Sequence, residues 1–419
     1  MSMRKRFLKS VFKPLGSPSE RIFVASAFAV SSLACATLSV TARAADVYIE
    51  PAISVAVGHD DNVRLDPVNA DSQSRVKVVA QAEVGSRTAS RDAIFNAAAH
   101  LNRYSDSELD RTDWFFDFDL LRHSQRDEFG LLTGYRRAST LTTEIEDTGR
   151  VQVDRLREDW SIAPFWTHKL TEATDTTLRY EFEDVAFEDG AQVGLIDYRN
   201  HSVDVSVTHR LNVSTNLIGS IDYQRFESED TTDSDSVGLL IGLERIFSPR
   251  FQAGLSLGAE STDIEFFVAD GTRENRSDSM AIFTTNATWT LENGSFLIEG
   301  SRREEPSAQG SLSNLEQVQA TWQQALTPVY ELILGVGASQ REFAPVGSQA
   351  AEDRKYYNAE ARIVWRGRPR WQIDFAYQYR RQEFDDPQGG VTGDASNRAD
   401  SSAVWLTAGY TWTRIGLFR

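Results

Sequence analysis

Strict alternation of apolar and polar residues constrains this chain more than any motif does. Between 371 and 380, Trp371, Ile373, Phe375, Tyr377 and Tyr379 share one parity, while Gln372, Asp374, Ala376, Gln378 and Arg380 share the other. Successive side chains of an extended strand point to opposite faces, so one face suits lipid and the other is costly to bury anywhere dry. Such a strand separates hydrocarbon from water. Stretches of this kind recur along most of the chain, and they are joined alternately by short turns and by longer acidic connections.

The short turns fall near 86–91, 124–127, 171–175, 212–215, 248–250, 292–294, 327–329 and 367–370. The longer connections fall near 58–73, 105–112, 142–156, 188–197, 228–235, 264–277, 304–313, 344–353 and 385–399. Nine hairpins joined by eight turns give an even number of strands, about 18, with both chain ends on one side. The predicted fold class is all-β: a single transmembrane antiparallel up-and-down β-barrel over residues 45–419, with short periplasmic turns and longer extracellular loops. Past residue 40 no apolar run approaches the ~18 residues that a membrane-crossing helix needs, which excludes a helical membrane protein.

The first 44 residues read differently. Arg4, Lys5, Arg6, Lys9, Lys13 and Arg21 form a basic leader, 22–40 is apolar, and Ala42-Arg43-Ala44 offers small residues for cleavage before Ala45. The expectation is a secretion signal peptide over 1–44, with an uncleaved anchor or lipidation at Cys35 as the alternatives. Cys35 is the only cysteine, so cleavage would leave no disulfide, thiolate ligand or cysteine nucleophile. The whole chain carries a formal charge of −17. From residue 45 onward 37 basic residues face 60 acidic ones, a balance that argues against nucleic acid as a partner.

Assigning faces strand by strand gives a lipid-facing set that includes Val76, Val78, Leu178, Tyr180, Phe182, Leu239, Ile241, Leu255, Leu257, Leu332 and Leu334. The opposite parity carries the expected pore lining: Arg179, Glu181, Glu183, Asp204, Asp222, Glu244, Glu299, Glu331, Arg341, Glu360, Arg362, Asp374 and Arg380, with Glu316 assigned to the same side. So many ionisable groups require a wet lumen. Its acidic excess predicts a weak cation preference, tempered by the arginines. Trp166, Trp289, Trp322, Trp365, Trp371 and Trp412 lie near turns or the chain end and read as an interfacial aromatic girdle.

Chemistry beyond passage finds little support. His59, His100, His123, His168, His201 and His209 belong to no nucleophile motif, so no catalytic residue is assigned and no cofactor is expected. Asp60, Asp61 and Asn62 are weak candidates for a cation site, since they offer oxygen ligands without the glycine and terminal glutamate of an EF-hand loop.

The segment Ile49-Glu50-Pro51-Ala52-Ile53-Ser54-Val55, followed by Gly58-His59-Asp60-Asp61-Asn62-Val63, resembles the start of a family of outer-membrane β-barrel porins often associated with exopolysaccharide or capsule production. His59 stands where that family usually has an aromatic residue. The resemblance implies a passive conduit for exporting an acidic or neutral polysaccharide, and the strand count is similar to that of the alginate export channel. The expected function is thus a porin-like channel in the outer membrane of a Gram-negative bacterium. Its expected partners are outer-membrane lipid and lipopolysaccharide, a polysaccharide or other polar solute, and periplasmic export machinery. A non-conducting surface scaffold or adhesin, or a barrel-rim hydrolase, are the alternatives.

Overall fold

The computed structural model describes residues 46–141, 143, 154–229, 232–267, 273–343, 353–385 and 398–418. The expected leader, with Cys35 and the cleavage point before Ala45, lies outside the described residues. The strands in chain order are β1 (Asp46–Asp60), β2 (Gln73–Arg87), β3 (Arg91–Tyr104), β4 (Arg111–His123), β5 (Asp127–Ser139) and β6 (Leu156–Lys169). They continue as β7 (Thr174–Phe187), β8 (Tyr198–Asn212), β9 (Thr215–Ser228), β10 (Thr232–Ser248), β11 (Phe251–Phe267) and β12 (Arg273–Leu291). The last are β13 (Gly294–Pro306), β14 (Leu312–Ala325), β15 (Tyr330–Phe343), β16 (Asp353–Arg368), β17 (Trp371–Asp385), β18 (Arg398–Thr411) and the short β19 (Ile415–Phe418).

Each strand pairs antiparallel with its neighbour in sequence, and β1 pairs with β2 on one side and with β18 and β19 on the other. Because β19 resumes the β18 ladder along the same edge of β1, the nineteen segments form eighteen staves of a closed barrel. All eight short turns fall where the alternation breaks. The outer connections after β9, β11 and β13 are shorter than the sequence suggests, because strands β10 to β12 run for 17 to 19 residues and absorb much of 228–235 and 264–277. Their polar tips still alternate and still pair across the hairpin.

Large apolar side chains stand exposed around the outside: Ile53 and Val55 on β1, Leu239 and Ile241 on β10, Ile373 and Phe375 on β17. A water-soluble protein rarely shows a continuous apolar surface of this kind. Every tryptophan of the expected girdle lies on this outer parity near the short-turn end, and Tyr410 touches both Trp371 and Trp412. A second row, missed by the sequence reading, holds Trp160, Tyr223, Tyr357 and Tyr377 toward the long-loop end. The two rows are separated by six to eight residues along a strand, roughly 20–26 Å at ~3.3 Å per residue.

Closure joins the two ends of the described chain, and side chains reinforce it. At the long-loop end the Arg380 guanidinium donates to the buried Asp60 carboxylate. Ser401 Oγ donates to the same carboxylate at 2.7 Å, and the Ser402 amide donates to Asp61 at 2.7 Å. Asn62 donates to the Asp400 and Asp66 carbonyls. Gly58 is required because any Cβ there would fall inside the Trp405 ring. Near the other end Tyr48 Oη donates to Glu83 at 2.6 Å, and Arg414 lies 3.2 Å over the Tyr48 ring. The Gly58-His59-Asp60-Asp61-Asn62 run is therefore a closure motif. Asp60, Asp61 and Asn62 spend their oxygens on Arg380, Ser401, Ser402 and loop amides, and no metal-ligating cluster exists among the described residues.

Arg380→Ala leaves the Asp60 carboxylate buried without its cation, a change that costs roughly 3–5 kcal/mol. Urea unfolding in detergent micelles, read by tryptophan fluorescence, should show that loss. An unchanged midpoint would remove the seam from the list of stabilising contacts.

Candidate pore and its lining

The inner parity of the strands encloses a cavity of about 1150 Å³, bounded by β10 to β18 with β1 and β2. Of the residues expected to line a pore, Glu244, Glu299, Glu360, Arg362, Asp374 and Arg380 border this one space. Amide side chains line the same space. Asn286, Gln317, Gln319, Asn358 and Gln378 project from neighbouring strands into the cavity, beside Trp405 and Tyr356. All share the inner parity, as the alternation around Gln378 indicates. Gln319 donates to Glu299 at 2.8 Å, Gln317 donates to Ser301 at 3.2 Å, and Arg362 pairs with Glu360 at 2.7 Å.

Charge is uneven from wall to wall. On the inner faces of β7 to β9 stand Arg179, Glu181, Glu183, Asp204 and Asp222, outside the cavity lining. Asp204 and Asp222 are direct cross-strand partners, and Asp117, Asp119 and Glu260 extend the acidic wall to either side. Opposite it, β2 and β15 to β17 contribute Arg75, Lys77, Arg341, Arg354, Arg362 and Arg380, interspersed with Glu83, Glu331, Glu360 and Asp374. Around the cavity itself Arg75, Lys77, Arg303, Arg362 and Arg380 face Glu244, Glu299, Glu360 and Asp374. An acidic excess throughout the lumen was expected, yet the space itself is nearly balanced. The acids are concentrated on the far wall.

The remaining expected residues serve the ends. Glu331, near the short turns, accepts from Gln323 and Arg366. Arg341 is buried at the long-loop end, where it donates to Ser313 at 2.9 Å and to the Pro306 carbonyl at 3.4 Å. Glu316 departs from its assignment: it lies on the same parity as exposed Val318 and therefore on the outer face, opposite Arg302 in the register. Its neighbour Leu315 is apolar yet buried on the inner parity with Gln317 and Gln319, so apolar character alone does not mark the outer face there.

Two apolar clusters occupy the long-loop half of the interior. One joins Val185, Phe187, Leu195, Tyr198 and Phe226 to Ala308 and Leu312, which belong to strands far around the barrel, and the Ile196 amide donates to the Ala308 carbonyl at 2.9 Å. The other gathers Val63, Tyr104, Leu109 and Leu141 against Tyr356. The interior is thus polar and open toward the short turns and narrowed by folded-in segments toward the long loops.

The histidines form no catalytic array. His168 meets Asp127 at 2.8 Å, and Ser124 donates to the other oxygen of the same carboxylate, so the carboxylate lies between the imidazole and the hydroxyl. His123 pairs with Glu128, His201 with Tyr180, and His209 with Thr174. Among the described residues no histidine bonds both a hydroxyl and a carboxylate.

No family model and no curated protein matches the sequence. Solved structures that resemble it include the outer membrane protein OpdK of Pseudomonas aeruginosa, at 10% identity and a TM-score of 0.46, covering 87% of this chain and 99% of that one. OccK5 (OpdH) of the same organism gives 12% identity and a TM-score of 0.43, covering 88% and 98%. The FrpB iron transporter of Neisseria meningitidis gives 9% and 0.45, covering 87% and 82%. The barrel is established here by the strand pairing of the chain itself.

Replacing a cavity cation by an anion should move ion selectivity. A unit charge acts with about 1 kcal/mol at 4 Å in water. Arg362→Glu replaces a positive charge by a negative one and should therefore raise the cation-to-anion permeability ratio by at least a factor of about five, read as a shift in reversal potential across a potassium chloride gradient. An unshifted potential would mean that ions do not pass this side chain.

Proposed function

We propose that the protein is a porin-like channel in the outer membrane of a Gram-negative bacterium, with its short turns in the periplasm and its long loops outside. One observation carries this reading: a belt of exposed apolar side chains, bounded by two aromatic rows, surrounds a polar cavity that needs water. Outer-membrane lipid would contact the belt, and lipopolysaccharide the outer aromatic row. Barrels of ~16 to 18 strands are wide enough for an aqueous passage.

The cargo that fits best is an uncharged, polyhydroxylated solute. The amides of Asn286, Gln317, Gln319, Asn358 and Gln378 can both donate and accept, and the charged groups around the cavity nearly cancel. An exported neutral polysaccharide meets these requirements and agrees with the resemblance carried by residues 49–63. A strongly anionic chain would meet the acidic wall of β7 to β9. Delivery of a polymer to the short-turn end would fall to periplasmic export machinery.

A second reading, a non-conducting surface scaffold, draws on the apolar clusters that narrow the long-loop half. Single-channel recording in planar bilayers separates the two. A channel gives discrete conductance steps that neutral oligosaccharides block from the short-turn side. Correctly folded barrels without conductance would favour the scaffold, and conductance without sugar block would leave a general porin.

A further inference from the structure

One place in the wall is not zipped to its end. β12 and β13 pair only from Leu291↔Gly294 up to Phe283↔Arg302, although β12 continues to Arg273 and β13 to Pro306. Beyond that point β12 stays in register with β11 as far as Phe267↔Arg273, and its residues 273–279 are exposed. β13 instead turns inward together with the start of β14, which remains paired to β15. Its Glu304 carboxylate accepts from Ser236 at 3.1 Å and from Thr262, both on the inner faces of β10 and β11. Ala308 and Leu312 complete the apolar cluster built on β7 to β9, while Arg303 faces the cavity. The hairpin tip has slid beneath the wall that it would otherwise extend.

We propose that the tip of the β13–β14 hairpin, residues 303–315, is a gate with two seats: the lumen seat described here, and an edge seat in which β13 continues its ladder along β12. The observed register already specifies the second seat, since prolonging Phe283↔Arg302 brings Ile282, Ala281, Met280 and Ser279 opposite Arg303, Glu304, Glu305 and Pro306. Parity is preserved in the move. Arg303 and Glu305 keep the inner side, and Glu304 joins Arg302 and Glu316 on the outer face at the membrane margin. An unpaired strand edge is a template for another strand, and here the closest strand of matching register is the one that has left it. Moving the tip to the edge would take Ala308 and Leu312 out of the apolar cluster and lift Arg303 from the cavity, widening the long-loop end. That effect on flow rests on the channel reading; the movement itself does not.

Disulfide trapping tests both parts. Cys35 is the only cysteine, so a Cys35→Ser background admits engineered pairs without competition. Thr262→Cys with Glu304→Cys should lock the lumen seat, and Met280→Cys with Glu305→Cys should lock the edge seat. In folded barrels, recognised by heat-modifiable gel migration, both pairs should cross-link under a mild oxidant. The first lock should lower conductance and the second raise it several-fold, each reversed by dithiothreitol. The proposal is overturned if the Met280–Glu305 pair stays reduced under conditions that fully oxidise the Thr262–Glu304 pair, or if both bonds form in conducting barrels with no difference in conductance. Barrels in which both bonds form but which conduct in neither state support the movement and count against the channel reading instead.

Discussion

Everything in this molecule follows from the demand that backbone N–H and C=O groups within a bilayer find partners inside the protein. A sheet meets that demand only by closing on itself, and closing requires that the first strand find the last. The contacts of that seam span more than 300 residues of sequence, as with Asp60 and Arg380, so closure carries the largest loop entropy in the fold. It is also where side-chain chemistry is densest. A glycine makes room for the Trp405 ring, a buried ion pair and two serines fasten the long-loop end, and Tyr48 with Glu83 and Arg414 fastens the other. A buried ion pair contributes little net stability against an apolar pair, but it is specific, and a barrel whose alternating strands look alike needs specificity to select its register.

That reasoning explains which parts of the fold were legible in the sequence. Alternation depends on neighbours two residues apart, so the faces of β17, the eight turns and the inward parity of all thirteen expected lining residues could be read directly. The role of Asp60, Asp61 and Asn62 could not, because their partners lie on β17 and β18. Taken alone, three adjacent oxygen-bearing side chains look like cation ligands. Seen with Arg380 and Ser402, they are already committed. Glu316 failed for a local reason: it alternates in phase with Val318 and Trp322, whereas its neighbour Leu315 is apolar yet buried on the inner side.

The site was legible as a list of residues and illegible as a field. Summed along the chain, the inner charges are acidic. Distributed over the staves they are uneven, with an acidic excess around Asp204, Asp222 and Glu260 and a mixture of both signs around Arg75, Glu360, Arg362, Asp374 and Arg380. The amide side chains of Asn286, Gln317, Gln319, Asn358 and Gln378 stand among these charges and can both donate and accept.

The unzipped stretch of β12 shows where such a barrel can tolerate an exception. Each peptide group left unpaired in hydrocarbon costs several kcal/mol, so a gap at the level of Trp289 or Ala287 would be ruinous. The ladder between β12 and β13 is continuous there and ends at Phe283, next to Ala281, after which the outer face of β12 turns to Ser279, Ser277 and Asn275. The exposed part of the free edge therefore lies where water can satisfy it. A strand that must move can do so only beyond the apolar belt, and a gate built from the wall of this barrel is confined by the same hydrogen-bonding demand that closed the wall in the first place.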